Sequence, residues 1–338
     1  MLTIDQSWVW DFWLADDGEE FHLFFLHAPR ELLDPDLRHV NARVGHATSS
    51  DLQSWTRHAD ALAPGPPGSV DDEATWTGSV VRDPAGGWRM FYTGLANRGT
   101  GHVQRIAVAT SDDLHTWHKD GSFSLAPDGH WYAIGADVAA GDETGDTWRD
   151  PWVFPDPAGD GWHMLITARA AAGPAGDDGV VGHAWSPDLR SWTLRPPLSA
   201  PGAGFQHLEV FQVEMVDGRP VLLFSCLPGQ TTEARRRRDG AAGTWTVAPE
   251  GPLGPYDTAA ACPLTDNRHY SGRLIRDRAG QWVLLAFLDD GPDGFIGAIS
   301  DPVPVRWSGD TLVSDPVDLL RRPETQHAGQ RDVCSGRR

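Results

Sequence analysis

Three carboxylic acids stand at comparable places in the sequence. Asp11, Asp150 and Glu209 lie among apolar and aromatic residues, and they precede the glycine of a turn by seven, eleven and nine residues respectively. If these turns are equivalent, the three carboxyl groups converge at one mouth of a common channel. Carboxyl groups crowded in apolar surroundings push their pKa values apart, so that one is ionised while another keeps its proton. Glycoside cleavage needs that pair of states, and the three acids are therefore the candidate catalytic residues.

The glycines belong to a repeat. A turn followed by a short apolar strand occurs five times, in steps of 69, 74, 57 and 62 residues, at Gly18, Gly87, Gly161, Gly218 and Gly280. Each copy is followed by a second element, a strand that ends in an Asp-Leu-x-x-Trp turn. This element is clear at Asp51, Asp113 and Asp188 and weaker at residues 244–256 and 297–307. Each unit therefore offers about four short strands.

Five units of about four strands predict an all-β protein, a five-bladed β-propeller that spans residues 1–320. A β-sandwich would not explain this repeat. Helical periodicity is nearly absent. Residues 233–238 could form a short helix, but the four arginines at 235–238 favour a solvated loop. The polar, Arg-rich residues 321–338 are predicted to be a disordered tail.

Further candidates stand where the first strand of each blade opens onto the central channel. A lone Asp at the start of a strand is usually a turn or edge residue, and the shared position of three acids is what favours a site. Arg149 either neutralises Asp150 or donates to two neighbouring sugar hydroxyls. The other residues predicted to contact substrate are Trp10, Trp76, Ser79, Trp131, His207 and Tyr270.

The composition argues against several classes of function. Lys and Arg number 28 against 47 Asp and Glu, a formal net charge of −19, which disfavours nucleic acid and anionic membrane surfaces as partners. No G-x-S-x-G, Walker or H-E-x-x-H motif occurs, and His46 and His183 recur at one place in the repeat, which favours a structural role over metal ligation. We expect no cofactor and no metal. No signal peptide and no apolar stretch of membrane-spanning length is visible, so we expect a cytoplasmic protein whose partner is a small carbohydrate.

Several strands resemble a known family. Strands similar to those of glycoside hydrolase family 32, the invertases and fructan hydrolases, occupy residues 21–29, 45–52, 76–80 and 90–94. Arg149-Asp150-Pro151 is similar to the Arg-Asp-Pro motif that this family shares with family 68, the levansucrases and their relatives. The resemblance covers roughly residues 8–307. It implies that Asp11 is the nucleophile, that Asp150 stabilises the transition state, and that Glu209 is the general acid and then the base of a retaining double displacement.

The sequence departs from the family pattern in three places. The opening Asn-Asp-Pro-Asn-Gly is absent, and residues 10–13 look nearer to the family 68 nucleophile strand. The Glu-Cys-Pro motif is replaced by residues 209–211, and the typical C-terminal β-sandwich has no counterpart. We therefore predict a divergent, propeller-only retaining enzyme that cleaves or transfers β-fructofuranosyl units of sucrose or short fructans. The alternatives are an inverting arabinofuranosidase or xylosidase of the family 43 kind and a non-catalytic sugar-binding propeller.

Overall fold

The structure is a computed structural model that describes residues 1–98, 101–135, 147–291 and 294–314. In this part of the chain the strands form five sheets in chain order, and neighbouring strands within each sheet run antiparallel. The first strands of the five sheets contact one another around a central channel. The predicted five-bladed β-propeller is therefore confirmed. The tail predicted at residues 321–338 lies outside the described residues.

Each blade begins at the channel and ends at the rim. Blade one contains β1 (Ser7–Asp16), β2 (Phe21–Pro29), β3 (Arg43–Ser49) and β4 (Thr56–Arg57). Blade two contains β5 (Ala74–Arg82), β6 (Trp88–Asn97), β7 (His102–Ser111) and β8 (His118–Lys119). Blade three contains β9 (Trp148–Pro155), β10 (Trp162–Arg169), β11 (Gly179–Ser186) and β12 (Thr193–Arg195). Blade four contains β13 (Glu209–Val216), β14 (Arg219–Ser225), β15 (Thr244–Val247) and β16 (Cys262–Pro263).

Blade five is larger. It contains β17 (His269–Arg276), β18 (Trp282–Gly291), β19 (Gly294–Ile299), β20 (Val303–Ser308) and β21 (Thr311–Ser314), and β18 pairs with both β19 and β20. Leu2 pairs with Ile299 of β19, so the beginning of the chain joins the last blade and closes the ring.

The second strands are buried along almost their whole length because neighbouring blades cover both of their faces. In β10 every residue after Trp162 is buried, and β2 is buried from Phe21 to Leu26. A strand covered on both faces reads as a continuous apolar run and not as an alternating one. Burying each large apolar side chain of this kind stabilises the fold by roughly 1.5–3 kcal/mol.

The Asp-Leu-x-x-Trp turns set where the rim strands begin. In the first of them, the Asp51 carboxylate accepts hydrogen bonds from the backbone N–H groups of Gln53 and Ser54, at 2.8 and 2.7 Å. These two donors lower the pKa of Asp51 to about 2. The next residue, Leu52, is fully buried and has a φ of 62°, a backbone strain that its burial offsets. Asp113 and Asp188 repeat this arrangement in blades two and three.

A β-bulge interrupts every innermost strand at the same level. Pairing with the second strand skips one or two residues, and the first skipped residues are Asp11, Thr77, Asp150, Val210 and Ser271. Three of these five residues have a positive φ, between 49° and 57°. A bulge bends its strand and re-aims the local side chains. The five bulges therefore determine what faces the channel mouth.

The bulges show that one of the three acids occupies a different position in its strand from the one predicted. Asp11 and Asp150 both occupy the bulge, as their shared position predicted. Glu209 is still paired with Ser225 and stands one residue before the bulge of β13, so the prediction that all three acids are equivalent is wrong for Glu209. The residues level with Glu209 in the other blades are Trp10, Trp76, Arg149 and Tyr270. The site therefore has two layers, a bulge layer and a layer one residue closer to the strand starts.

The arginine run folds differently from the expectation. Residues Glu233–Asp239 form an α-helix, α1, with Thr232 as its N-cap. Arg235 is only 3% exposed, because its guanidinium donates to the carbonyls of Ala203 and Ala259 and its Nε lies 2.7 Å from the Asp239 carboxylate. The predicted loop is therefore wrong, because the segment is helical and buries Arg235, whereas Arg237 and Arg238 are exposed as expected. No helix in the described part of the chain is long and apolar enough to cross a membrane.

Candidate active site

A cavity of about 780 Å³ opens where the five bulges meet. All five innermost strands contribute to its lining. It includes eight of the ten residues predicted from the sequence: Trp10, Asp11, Trp76, Arg149, Asp150, His207, Glu209 and Tyr270. The sequence repeat and the position of the acids in it therefore predict most of the residues that bring the five blades together at this cavity.

Asp11 is held by its neighbours in the bulge layer. Its Oδ2 accepts a hydrogen bond from the Thr77 hydroxyl at 2.8 Å, and its Oδ1 accepts one from the Ser271 hydroxyl. These donors come from blades two and five, on either side of blade one. Burial raises the pKa of Asp11, the two hydroxyls oppose that rise, and Glu209 adds to it. The carboxyl group is thus fixed in direction and reluctant to ionise.

Asp150 is more deeply buried, with 4% of its surface exposed. Its backbone N–H donates to the Thr93 hydroxyl at 2.8 Å, and its Oδ2 accepts from the Thr167 hydroxyl at 2.9 Å. The Nε of Arg149 lies 3.7 Å from the same oxygen. Burial raises the pKa of Asp150 to about 7, although Arg149 opposes the rise. Asp150 therefore keeps its proton to a higher pH than an exposed aspartic acid does.

Glu209 stands in the opposite electrostatic setting. Its Oε1 accepts a hydrogen bond from the Arg149 guanidinium and its Oε2 accepts one from the Tyr270 hydroxyl. Nδ1 of His207 lies 3.7 Å from Oε1. Burial alone would raise the pKa of Glu209, but Arg149, His207 and Tyr270 outweigh burial and lower it. The pKa values of neighbouring carboxyl groups in one cavity are thus shifted in opposite directions, up for Asp11 and Asp150 and down for Glu209.

Sequence reasoning missed one wall of the cavity. A 3-10 helix, Pro35–Asn41, lies over the two predicted sugar-facing tryptophans. Trp76 donates its indole N–H to the carbonyl of His39 at 2.7 Å, and the guanidinium of Arg38 lies 5.6 Å from the Trp10 ring centre. The two tryptophans are thereby fixed in place. No motif marks this segment, and only its contact with the tryptophans reveals its role.

A buried amide also supports the site. Gln104 is fully buried, and its Oε1 accepts hydrogen bonds from the Trp148 backbone N–H at 3.0 Å and from Arg149 at 3.3 Å. It orients the guanidinium that reaches Glu209. A single glutamine in β7 carries no sequence signal for this role.

Two predicted substrate contacts lie elsewhere. Ser79 is 1% exposed, and its hydroxyl accepts a hydrogen bond from the Val153 backbone N–H at 3.0 Å, which ties blade two to blade three. Trp131 is 37% exposed and its ring packs edge-on against His130. Neither residue is among those that line the cavity. The bulge aims Thr77 and not Ser79 into the site, and Trp131 follows a turn outside the innermost strands.

The two repeated histidines pack inside the blades. His46 Nε2 lies 3.0 Å from His22 Nδ1 in blade one, and His183 Nε2 lies 2.8 Å from His163 Nδ1 in blade three. The rings of His22 and His46 are stacked, and so are those of the blade-three pair. Within the described ranges, no group of three or more His, Cys, Asp or Glu residues could hold a metal ion. These contacts are those of a structural pair.

Known proteins share this architecture. The inulosucrase of Halalkalicoccus jeotgali, solved with bound kestose, matches with a TM-score of 0.73 at 22% identity over 92% of this chain and 87% of its own. The levansucrase of Gluconacetobacter diazotrophicus matches with a TM-score of 0.73 at 19% identity over 92% and 81%. At such identities the two matches show the fold alone.

Sequence comparison is more specific. The raffinose invertase of Escherichia coli is 30% identical over 193 residues, which are 56% of this chain and 34% of that protein. The chain thus spans about a third of the length of this relative. The family model described as the glycosyl hydrolases family 32 N-terminal domain matches residues 13–247, a span that includes Asp150 and Glu209 and begins two residues after Asp11. Because this match covers more than half of the sequence, the chain belongs to glycosyl hydrolases family 32.

Proposed function

We propose that the protein cleaves, or transfers, β-fructofuranosyl units of sucrose or short fructans through a fructosyl-enzyme intermediate. The observation that carries the proposal is the convergence of Asp11, Asp150 and Glu209 on one cavity in a chain of family 32. Comparison supports the substrate class, since the chain resembles a raffinose invertase and an inulosucrase solved with kestose.

Asp11 is the proposed nucleophile. Its two oxygens are oriented by Thr77 and Ser271, so one face of the carboxylate is held toward the cavity. In the first step an Asp11 oxygen bonds to the anomeric carbon of the fructosyl unit while the bond from that carbon to the leaving oxygen breaks. The product is a fructosyl ester of Asp11 with inverted configuration.

Glu209 is the proposed acid and base. It gives a proton to the leaving oxygen in the first step and takes one from the attacking water, or from an acceptor hydroxyl, in the second. The second step breaks the ester and restores the original anomeric configuration. In the free site Arg149 holds Glu209 ionised. A bound sugar whose hydroxyls accept the Arg149 donors would weaken that pairing and let Glu209 take up its proton.

Asp150 and Arg149 are proposed to hold sugar hydroxyls. Their side chains lie 3.7 Å apart and both line the cavity, so one offers acceptors and the other offers donors to neighbouring hydroxyl groups. Trp10 and Trp76 offer apolar faces beside them. This combination of a charged pair and aromatic faces suits a small polyhydroxylated ligand.

The test is release of fructose from sucrose, kestose, inulin and levan by the wild type, Asp11→Asn and Glu209→Gln. A matched control is Glu214→Gln, which changes another half-buried acid on β13 that lies outside the cavity. We expect both site variants to lose activity by several orders of magnitude and the control to stay within a few-fold of the wild type. A wild type inert on all four fructosides would refute the substrate class. An inverted anomer, read by NMR, would instead favour the family 43-like mechanism.

A further inference from the structure

A buried arginine lies at the centre of the propeller, next to the bulge layer. Arg273 follows the bulge of β17 and is 2% exposed. Its Nε donates to the carbonyl of Phe12 at 3.0 Å, and its Nη1 donates to the carbonyls of Val210, at 3.3 Å, and Phe211. The guanidinium also lies 5.1 Å from the ring centre of Trp152. One side chain on blade five therefore contacts blades one, three and four.

The carbonyls that Arg273 binds belong to the segments that aim the acids. Phe12 directly follows Asp11, and Val210 directly follows Glu209. The pairing of β13 with β14 skips Val210, so its backbone groups need partners outside the ladder. The guanidinium offers several donors in a fixed plane and can satisfy two bulges at once. It thereby links the backbones beneath the proposed nucleophile and the proposed acid.

The position of Arg273 also has an electrostatic consequence. The side chain lines a second cavity, of about 160 Å³, which is separate from the site cavity. Burial lowers the pKa of Arg273 to about 10, while Asp11, Asp150 and Glu214 oppose that change, so the group stays charged at neutral pH. The other titratable and charged groups that face Asp11 are Arg38, Asp150, Glu209 and Tyr270.

We propose that Arg273 is a positioning residue, which fixes the two bulges that aim Asp11 and Glu209 and supplies the buried positive charge behind the carboxylates. It contacts no substrate, since it does not line the site cavity. The kinetic consequences of this inference depend on the proposed function, but its structural and electrostatic consequences do not.

The test compares two buried arginines that both bind backbone carbonyls. Arg273→Met and Arg273→Lys are the test variants. Arg235→Met and Arg235→Lys are the matched controls, because Arg235 is 3% exposed and donates to the carbonyls of Ala203 and Ala259, which do not line the cavity. We measure kcat, KM and the pH dependence of kcat/KM on the fructoside that the wild type cleaves best.

Arg273→Met should lower kcat by roughly 100-fold, with KM within a few-fold, because small displacements of reacting groups cost that much. Loss of the cation should also move the acid limb of kcat/KM about one pH unit upward, because the nucleophile must be ionised. Arg273→Lys keeps the charge but cannot span both bulges, so it should restore the acid limb and only part of kcat. The Arg235 variants should be less stable than the wild type, but the acid limb of their kcat/KM profiles should not move.

A second readout separates this inference from the proposed function. If the wild type cleaves no fructoside, the free energy of unfolding is compared at pH 4 and pH 8. Arg273→Met should be destabilised more at pH 8 than at pH 4, since the carboxylates are then ionised without their cation, and this difference should exceed that of Arg235→Met. If Arg273→Met does not fold, Arg273→Lys alone must lower kcat with an unshifted acid limb. An unchanged kcat in Arg273→Lys, or equal pH dependence in the Met variants, would overturn the inference.

Discussion

Replacing Asp150 with Asn should stabilise the protein above neutral pH while removing its activity. Asp150 is 4% exposed and has a φ of 57°. Asn tolerates that backbone conformation, and its amide oxygen can still accept the Thr167 hydroxyl. The substitution therefore removes the negative charge, together with its pairing to Arg149, and keeps the backbone conformation and the Thr167 hydrogen bond.

The size of the gain follows from the pKa of Asp150, which burial raises from 3.8 to about 7. A raised pKa means that the folded state binds the proton more tightly than the unfolded state does. Stability is then lost as pH rises from about 4 to about 7, and the loss is complete above pH 7. A shift of about three pH units corresponds to about 4 kcal/mol. Asp150→Asn should recover up to that amount at pH 8 and almost none at pH 4.

The assay is urea unfolding, followed by tryptophan fluorescence, at pH values from 4 to 8. Asp150→Ala is the comparison variant, since it removes the same charge but places a Cβ-bearing residue without a local hydrogen bond at positive φ, at a cost of about 1–2 kcal/mol. The free energy of unfolding of the Asn variant should exceed that of the Ala variant at every pH. An Asn variant no more stable than the wild type at pH 8, or a gain independent of pH, would refute the account of this site.

Three further outcomes are expected. Burial lowers the pKa of His46 from 6.5 to about 3, so the folded state binds fewer protons than the unfolded state and the protein loses stability as pH falls below 6.5. His46→Phe should remove about 2 kcal/mol of the stability loss between pH 6.5 and 5. If the pH dependence of the free energy of unfolding is the same in His46→Phe and the wild type, this account of His46 is wrong. Arg149→Gln should lower kcat and raise the pKa of Glu209, so the part of the kcat/KM against pH profile that reports Glu209 should move to higher pH. If that part of the profile does not move, Arg149 does not control the charge of Glu209. Trp76→Ala should raise KM roughly tenfold, whereas Trp131→Ala, on the surface, should leave KM unchanged, and the reverse pattern would restore Trp131 to the site.

The repeat made much of the fold predictable from the sequence. Glycine turns and Asp-Leu-x-x-Trp turns are local devices, because Asp51 caps backbone groups only two and three residues away. Local chemistry of this kind is visible in a sequence. Asp11 and Asp150 stand out in the sequence as acids among apolar residues, and both line the cavity.

What the sequence could not supply depends on contacts between distant segments. The bulge of β13 begins at Val210, and only the hydrogen-bonded ladder shows that Glu209 still belongs to the paired strand. The burial of Arg235 is not visible in the sequence, because its carbonyl partners Ala203 and Ala259 are 32 and 24 residues away in the chain. Arg273 binds carbonyls that are more than 60 and 260 residues away, and no local pattern marks it.

The most direct test of the central claim is to trap the covalent intermediate. Glu209→Gln is incubated with a fructoside whose leaving group needs no proton, so that the first step proceeds while the second lacks its base. Peptide mass spectrometry should then find one fructosyl unit on the peptide that contains Asp11, and no adduct when Asp11→Asn is added to the variant. Turnover without an adduct and with an inverted product, or an adduct on a different residue, would contradict the assignment of Asp11 as the nucleophile.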